Sequence, residues 1–257
     1  MGLFKPAWQS NDIEKARKVF LKKLTDGQLL LIAEETKHDC IKQEAVSRIS
    51  SNDILIKKAL DADYSMVQFA VSELGKRDQN ILFQIGLSIS DLRNHNFKNY
   101  GALREILPEY ITNQKLLGQL CHAYAKCRAE FAFKNALFKL SDQEGMALAV
   151  ARFDFFPQLN LKDNEGYLLG RIIKHITDTL TDENYILTCI TNVLNVPWCK
   201  SYTILNDPDI YSVFLSNIHT PDILRTIISQ ENNIDHKYWN CDDFIKKVND
   251  RLNELTA

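Results

Sequence analysis

The side chains that could support chemistry are a few cysteines and histidines, so their spacing has to be considered first. Cys121 and His122 lie close in sequence to Cys127. On an α-helix, positions 121 and 127 point about 120° apart, so the two thiols cannot bind one metal ion without further ligands. We interpret them as core thiols beside an incidental histidine, and the sequence predicts no metal site.

Two other places hold reactive residue types without a catalytic pattern. His38-Asp39-Cys40 puts a base, an acid and a nucleophile side by side, but catalytic groups usually meet across space rather than along the chain. His175 is interpreted as a partly covered helix residue. The sequence contains no Gly-rich phosphate loop, GxSxG elbow or HExxH helix. We therefore expect no enzymatic activity and no cofactor.

Composition narrows the class of protein. The 257 residues carry a formal net charge of -2, which argues against nucleic acid as the main partner because such proteins usually present a basic face. The six cysteines are scattered without a CxxC pair, which is typical of buried, reduced thiols. The N-terminus does not resemble a signal peptide, and no apolar run approaches the length of a membrane span. We expect a cytoplasmic protein without membrane contact.

The elements that would position any site are helices, predicted from an apolar pattern that recurs seven times. Each block ends in an apolar residue, which we call column zero, and has further apolar residues eight, four and three positions earlier. Only Pro108 and Thr177 break the pattern. These intervals return to one side of a helix, so each block predicts an amphipathic helix with one buried face. The column-zero residues are Leu24, Ile49, Leu74, Ile111, Leu140, Leu180 and Ile218.

The residues after column zero indicate that another helix begins there. Ser or Thr follows in most blocks, as in Thr25-Asp26 and Ser141-Asp142. Thr25 with Gln28 and Ser141 with Glu144 have the spacing of a capping box. Each unit is therefore predicted to be a helix, a tight turn and a second helix.

The most regular blocks, Ile41-Lys42-Gln43-Glu44-Ala45-Val46 and Met66-Val67-Gln68-Phe69-Ala70-Val71, resemble HEAT-like repeats of the short bacterial kind. Those repeats read roughly Val-Arg-x-Ala-Ala-Val-x-x-Leu-Thr-Asp-Gln. The opening Met1-Gly2-Leu3-Phe4-Lys5-Pro6-Ala7-Trp8 is similar to the start of a group of bacterial proteins that carry them. The Arg column of the repeat is met by Arg17, Lys42 and Arg104, and is not met at Val67, Phe133, Ile173 and Tyr211.

The resemblance implies an all-α fold, a right-handed α-solenoid (superhelix) of about seven HEAT-like helix pairs. Column zero recurs after 25 to 40 residues, which is the range of stacked helix pairs. We expect a single domain over 1–257. Its predicted parts are an N-terminal cap over 1–10, regular repeats over 11–150, divergent repeats over 151–240 and a C-terminal capping helix over 241–257.

Such a solenoid is expected to be a scaffold that binds a protein or peptide along its concave surface. Outward-pointing side chains of the second helices would form that surface; the candidates are Lys42, Arg48, Arg104, Arg128 and Lys134. Two long connections, over 88–101 and 152–166, are further candidates because insertions project from one face of a solenoid. Their candidate residues are Arg93, His95, Phe97, Tyr100, Phe155 and Phe156.

Two other functions remain open at this point. One group of DNA-repair glycosylases is built from HEAT-like repeats, so the resemblance also allows a nucleic-acid-binding enzyme. It would need a basic groove with aromatic side chains and a carboxylate, yet Trp8, Trp198 and Trp239 lie far apart in the chain. A chromophore lyase or chaperone-like factor of similar build is the other alternative. We expect a monomer or weak self-association.

Overall fold

A computed structural model of the protein describes residues 6–61, 63–90, 100–127, 129–150, 167–194, 208–230 and 242–257. Within these ranges the regular structure consists of α-helices and two short 3-10 helices, and no β-strand is present. The prediction of an all-α fold is therefore confirmed for the described residues.

The chain divides into two compact units, unit 1 over Met1–Ile111 and unit 2 over Thr112–Ala257, and each is described by itself. The helices of unit 1 are α1 (Ile13–Arg17), α2 (Asp26–Glu35), α3 (Asp39–Arg48), α4 (Asn52–Asp61), α5 (Tyr64–Arg77), α6 (Gln79–Ser90) and α7 (Tyr100–Tyr110). The two 3-10 helices, Ala7–Gln9 and Lys18–Leu21, lie on either side of α1.

Unit 2 contains the remaining helices. They are α8 (Gln114–Lys126), α9 (Glu130–Leu137), α10 (Gln143–Val150), α11 (Tyr167–Thr179), α12 (Glu183–Leu194), α13 (Pro208–Ser216), α14 (Pro221–Ser229) and α15 (Asp242–Thr256). The last of these begins where the sequence predicted it, and its Phe244 and Val248 are buried while Lys246 and Lys247 are exposed.

Burial follows the predicted apolar columns closely. In the four columns of the seven blocks, every described side chain except Leu21 and Leu24 is buried. The buried set includes Pro108 and Thr177, the two members that are not typical apolar residues. The helix faces predicted from the spacing are therefore confirmed in both units.

The first block departs from the pattern because it is not one continuous α-helix. The helix α1 ends at Arg17, and a 3-10 helix follows over Lys18–Leu21. A 3-10 helix has three residues per turn, so the positions near its end no longer fall on the side predicted for 3.6 residues per turn. Leu21 is 84% exposed and Leu24 is half-buried as a result.

The predicted helix starts are confirmed in part. Thr25 and Gln28 form a capping box, in which the Gln28 amide donates to Thr25 Oγ1 and Gln28 Oε1 accepts from the Thr25 amide. At the second predicted box the cap is Asp142, whose Oδ1 accepts from the Gly145 amide at 2.7 Å. Asp142 is one residue closer to the start of α10 than Ser141 is. Glu144, the predicted partner of Ser141 in the capping box, pairs instead with Lys115.

Helix contacts correct the predicted unit. The closest contact of all is between α8 and α10, which are not consecutive. Among helices that follow one another directly, the closest contacts are α2 with α3, α4 with α5, α8 with α9 and α14 with α15. The tight turn after column zero joins one such pair to the next, because α3 and α4, or α9 and α10, make fewer contacts with each other. At the turns after Ile49 and Leu140, the prediction that the turn lies inside a unit is therefore wrong, and α2 and α3 pack together across Thr36–His38 instead.

With the pairs defined in this way, the first helix of a pair follows the turn and the second helix carries the apolar columns. Second helices contact one another along unit 1, α1 with α3, α3 with α5 and α5 with α7. In unit 2 the first helices do the same, α8 with α10, α10 with α12 and α12 with α14. The second helices α11, α13 and α15 are also in contact in sequence order.

Candidate functional site

A groove of about 350 Å³ lies between α1, α3 and α5 on the second-helix side of unit 1. The residues that line it are Arg17, Cys40, Gln43, Glu44, Val46, Ser47, Phe69, Ser72, Glu73 and Lys76. The three helices contact each other in the order α1, α3, α5, so the groove crosses α3 and ends on its two neighbours.

The spacing of the lining residues explains why α3 and α5 leave a space between them. Along α3, the lining residues other than Val46 lie three, four and seven positions after Cys40, and along α5 they follow the same intervals after Phe69. These intervals select one face of a helix. Ser47 and Ser72 are small, and Val46 at the bottom is almost fully buried. The result is a recess with an apolar bottom and polar walls.

The charged groups of the groove form two layers. The carboxylates lie low: the side chain of Glu44 is 26% exposed and that of Glu73 is 14% exposed. The cations that line the groove project further, with side chains 51% exposed for Arg17 and 63% exposed for Lys76. An approaching molecule therefore meets positive charge first.

Each low carboxylate has a closer partner than the cation above it. Glu44 lies 2.8 Å from Arg48 but 3.4 Å from Arg17, and Glu73 lies 3.0 Å from the Nε of Arg77 but 3.6 Å from Lys76. The shorter pairs carry most of the neutralisation, because charge-assisted hydrogen bonds weaken with distance. Arg17 and Lys76 are therefore the less fully compensated charges of this site.

Hydrogen bonds between successive helix pairs hold the walls in position. The guanidinium of Arg77 at the end of α5 donates to the Ile49 carbonyl at 2.6 Å and to the Ser50 carbonyl at 3.3 Å. Arg48 at the end of α3 donates to the Phe20 carbonyl at 3.3 Å, and its guanidinium stacks over the Phe20 ring. These bonds link α5 to the end of α3, and α3 to the segment after α1.

Two of the predicted binding residues are engaged inside unit 1. Lys42 donates from Nζ to Ser65 Oγ at 2.9 Å, which ties α3 to the start of α5. Arg48 is half-exposed, and its guanidinium donates hydrogen bonds to Glu44 and to the Phe20 carbonyl. Both lie on α3, a second helix in the pairing that the contacts define, and neither lines the groove.

The prediction that Arg104 points outward is wrong. Arg104 is only 8% exposed, and its Nε and Nη2 donate to the Ile89 carbonyl at 3.2 and 2.6 Å. The end of α6 leaves carbonyl groups without a partner inside the helix, and a neighbouring guanidinium can satisfy them. Arg104 is consequently part of the packing between α6 and α7.

In unit 2, Lys134 lies on α9 with its Nζ 5.4 Å from the centre of the Phe131 ring. Phe131 is 68% exposed, so this cation and aromatic ring form an exposed pair. Cation–π contacts of exposed groups are weak, about 0.5–1 kcal/mol.

The other predicted binding residues cannot be placed. Tyr100 begins α7, but its side chain lies outside the described part of the structure. The residues that lie wholly outside the described ranges are Arg93, His95, Phe97, Arg128, Phe155 and Phe156. They remain predictions.

Sequence reasoning missed most of the groove. Of the lining residues, the sequence singles out Arg17 in the basic column, Cys40 beside His38 and Asp39, and Val46 in an apolar column. It assigns no binding role to Glu44, Ser47, Ser72 or Glu73. A signal was present, because Glu44 with Arg48 and Glu73 with Arg77 are acid–base pairs at the i,i+4 spacing in consecutive blocks. Such pairs are common on exposed helix faces, so the spacing alone does not distinguish a groove.

Cys121, Cys127 and Cys189 are core residues, whereas Cys40 is half-buried and lines the groove. Burial raises the pKa of the Cys121 thiol well above its ordinary value and raises the pKa of Cys189 to about 12, which keeps both thiols protonated. Cys121 donates weakly to the Phe133 carbonyl, and Cys127 to the Tyr124 carbonyl. The interpretation of Cys121 and Cys127 as core thiols is confirmed.

The histidines predicted to lack a catalytic role also make local contacts. His38 Nε2 lies 2.9 Å from the Ser10 carbonyl oxygen, which ties the start of α3 to the N-terminal segment. His175 is half-buried, with Nε2 3.0 Å from the Leu137 carbonyl oxygen, as expected of a partly covered residue. Among the described residues, no cluster of three or more His, Cys, Asp or Glu side chains could hold a metal ion.

Within the ranges that the structure describes, no helix has both the length and the hydropathy that crossing a bilayer requires. Comparisons with protein-family models, with curated proteins and with solved structures find no match to this chain.

Proposed function

We propose that the protein is a non-enzymatic scaffold of stacked HEAT-like helix pairs that binds a protein or peptide. In this proposal the binding surface is formed by the second helices, which would be the concave face of such a stack. The groove between α1, α3 and α5 is the part of that surface where the partner chain is held.

The order of the helix contacts supports the stack. In unit 1, successive second helices touch, and in unit 2 the first helices and the later second helices do so. Contacts between each element and its equivalent in the next pair are what stacked helix pairs require, because each pair buries its apolar face only against a neighbour. The handedness of the stack remains a prediction.

The groove is the single observation that carries the binding proposal. Its volume of about 350 Å³ is near the lower end of small-molecule sites, which span about 300–1,000 Å³. Its bottom is apolar at Val46 and its walls carry hydroxyl, amide and charged groups. A recess of this size and polarity suits one or two side chains of a peptide, with polar groups left to bind its backbone.

The hydrogen bonds between pairs support the same function. Arg77 and Arg48 fix α5 and α3 to the preceding segments, so the walls are held before a partner arrives. A surface that is already ordered loses little conformational entropy on binding, and this favours affinity.

The proposal is tested by filling the groove. Random peptides displayed on phage would be selected on the immobilised full-length chain, and the selected peptides would be synthesised with a fluorescent label. Ser72→Trp and Gln43→Trp each place a large ring in the groove. We expect either variant to weaken peptide binding about thirtyfold or more in fluorescence anisotropy, as for the loss of an interface hot spot.

The matched control is Lys57→Trp, which adds the same ring at an exposed position of α4, away from the groove. It should leave the affinity unchanged, and all three variants should retain the thermal melting curve of the parent chain. Selected peptides that bind the parent and both groove variants equally well would contradict the proposal.

A further inference from the structure

The charges that line the groove indicate the chemistry of the peptide that it would hold. This inference rests on the function proposed above, because it concerns the peptide that the groove would hold. Its basis is the arrangement of charge around the apolar bottom.

The two cations that line the groove come from its two outer helices. Arg17 belongs to α1 and Lys76 to α5, with α3 between them. Both project further into solvent than Glu44 and Glu73 beneath them. A chain that crosses the groove from α1 to α5 therefore passes one cation, then the apolar bottom, then a second cation.

The carboxylates of the groove cannot fully compensate these cations. Arg48 and Arg77 are the closer partners of Glu44 and Glu73, respectively. Arg17 has one more acidic neighbour, Glu14, but the two groups are 4.0 Å apart and the Glu14 side chain is 75% exposed. An exposed pair at that distance contributes little, so Arg17 keeps most of its attraction for an incoming anion.

We propose that the groove binds an acidic peptide segment, with an apolar side chain seated between α3 and α5 and a carboxylate on each side of it. One carboxylate pairs with Arg17 and the other with Lys76. Packed helices are about 8–10 Å apart, so the axes of α1 and α5 are separated by roughly two such spacings. Arg17 reaches Glu44 of α3 at 3.4 Å, so the two cations lie closer together than the axes do. An extended chain covers two spacings in about five or six residues, and the two carboxylates are therefore at most about five residues apart in the segment.

The positions of Glu44 and Glu73 favour an acidic peptide over a nucleic acid, because both carboxylates lie beneath the cations of the groove. A phosphate backbone presents a negative charge at every nucleotide, and some of these charges would lie over Glu44 and Glu73. A peptide can place an apolar side chain there instead. Binding of nucleic acid would appear as a separate outcome of the test.

The test uses the same selected peptides and three neutral variants of the full-length chain. Arg17→Gln and Lys76→Gln each remove one cation of the groove, and Lys57→Gln removes one from α4 as the matched control. We expect the selected sequences to be enriched in Asp and Glu on both sides of an apolar residue. Each groove variant should weaken their binding about tenfold at low salt, the control should not, and added salt should reduce the difference.

Synthetic analogues of the peptide that binds most tightly test whether its acidic residues pair with Arg17 and Lys76. Replacing both of its acidic residues by amides should remove the sensitivity to Arg17→Gln and Lys76→Gln. Fluorescently labelled single-stranded and duplex DNA would be measured in parallel against the same four proteins and against Ser72→Trp.

The outcomes distinguish this inference from the proposed function. Peptides that are blocked by Ser72→Trp but show no acidic enrichment and no response to Arg17→Gln would overturn the inference and leave the scaffold proposal standing. Peptides insensitive to both Ser72→Trp and Gln43→Trp would overturn the inference and the scaffold proposal. DNA that binds more tightly than the peptides, and is lost in the Lys76→Gln and Ser72→Trp variants, would assign the groove to nucleic acid.

Discussion

Asp26 illustrates how one carboxylate can connect two successive helix pairs. It is the first residue of α2, and it accepts hydrogen bonds of 2.9 Å from the Ser50 amide, the Ser51 amide and Ser50 Oγ. Those groups belong to the turn between α3 and α4. The two backbone bonds, with Ser50 first and Ser51 next, lower the pKa of Asp26 below its ordinary value because they favour the ionised form.

The same arrangement occurs in unit 2. Glu183, the first residue of α12, accepts from Thr220 Oγ1 and from the His219 and Thr220 amides, and these bonds lower its pKa. Gln143 at the start of α10 accepts from the Thr181 and Asp182 amides, again in the turn of the following pair. The first residue of a helix thus satisfies backbone donors that the next turn would otherwise leave open.

At this scale we predict that Asp26→Ala lowers stability and also changes its dependence on pH. The folded-state pKa of Asp26 lies below the unfolded value of about 3.8, so its contribution is present above that pH and is lost as the pH falls through the folded pKa. Urea unfolding from neutral pH to below pH 4 should show a smaller acid-dependent loss of stability in Asp26→Ala than in the parent chain.

The control for this prediction is Asp53→Ala, which removes an exposed carboxylate from the first turn of α4. It should lower stability at neutral pH less than Asp26→Ala does, because no backbone donor of the next turn loses its acceptor. An equal effect of the two substitutions would show that the bonds to Ser50 and Ser51 do not stabilise the folded state.

At the scale of elements, α8 and α10 approach each other through glycines. A Cβ atom built on Gly118 of α8 would lie 2.9 Å from the Cα of Gly145 and would also clash with the Gly145 carbonyl oxygen. A Cβ on Gly145 of α10 would lie 2.6 Å from the Gln114 carbonyl oxygen. Because the obstacle is backbone in both cases, no side-chain rotation can relieve it. Glycine at these positions is what permits the close contact of the two helices.

We therefore predict that Gly118→Ala destabilises the protein by about 1–3 kcal/mol, the usual cost of overpacking, even though alanine is the better helix former. Gly27→Ala is the matched control, since Gly27 lies in the first turn of α2 and an added Cβ there meets nothing within 4 Å. It should stabilise by about 0.5–1 kcal/mol. Chemical denaturation measures both, and a neutral Gly118→Ala would show that α8 and α10 can separate without loss of packing.

At the scale of the whole molecule, each unit has its own buried core built from the apolar columns. Ala45 of α3 and Ala136 of α9 belong to the same column, and both are fully buried, one in each unit. Alanine at these positions lets the second helix lie close to its neighbours. A polar group placed there has neither space nor a partner.

We predict that Ala45→Asp and Ala136→Asp each unfold the unit that contains them. Burial of an unpaired carboxylate costs several kcal/mol, which is comparable to the total stability of a small domain. Far-UV circular dichroism during heating would show the loss, and limited proteolysis would locate it in 1–111 or in 112–257. Ser47→Asp, at an exposed position two residues after Ala45, should melt like the parent chain. An unchanged melting temperature for Ala45→Asp would contradict the assignment of the buried face.

The sequence predicted helix faces well and helix partners poorly. Burial at four positions per helix follows from local periodicity, so Ala45 and Ala136 could be placed in the core from their spacing alone. Leu21 could not, because the change from an α-helix to a 3-10 helix after Arg17 leaves no clear sequence signal. The tight turn after column zero was predicted correctly as a helix start, yet its place between pairs depends on contacts between segments distant in sequence.

The candidate site could be predicted from the sequence even less well than the helix pairs. Arg48, Arg77 and Arg104 are similar residues on second helices, but the first two hold neighbouring backbone at the surface while Arg104 is buried against the end of α6. Which carbonyl a guanidinium reaches depends on the distance and angle between helices. That geometry is set by side chains from several elements at once.

What the sequence determined by itself is the helical content and the buried side of most described helices, because both follow from the period of 3.6 residues and from local helix starts. What the tertiary structure decided is the pairing of helices, the groove between α1, α3 and α5, and the two layers of charge in it. These features join residues 17 to 76, so they exist only once the helices have packed. Glu44 and Glu73 lie low because their helices are neighbours, and no local pattern encodes that depth.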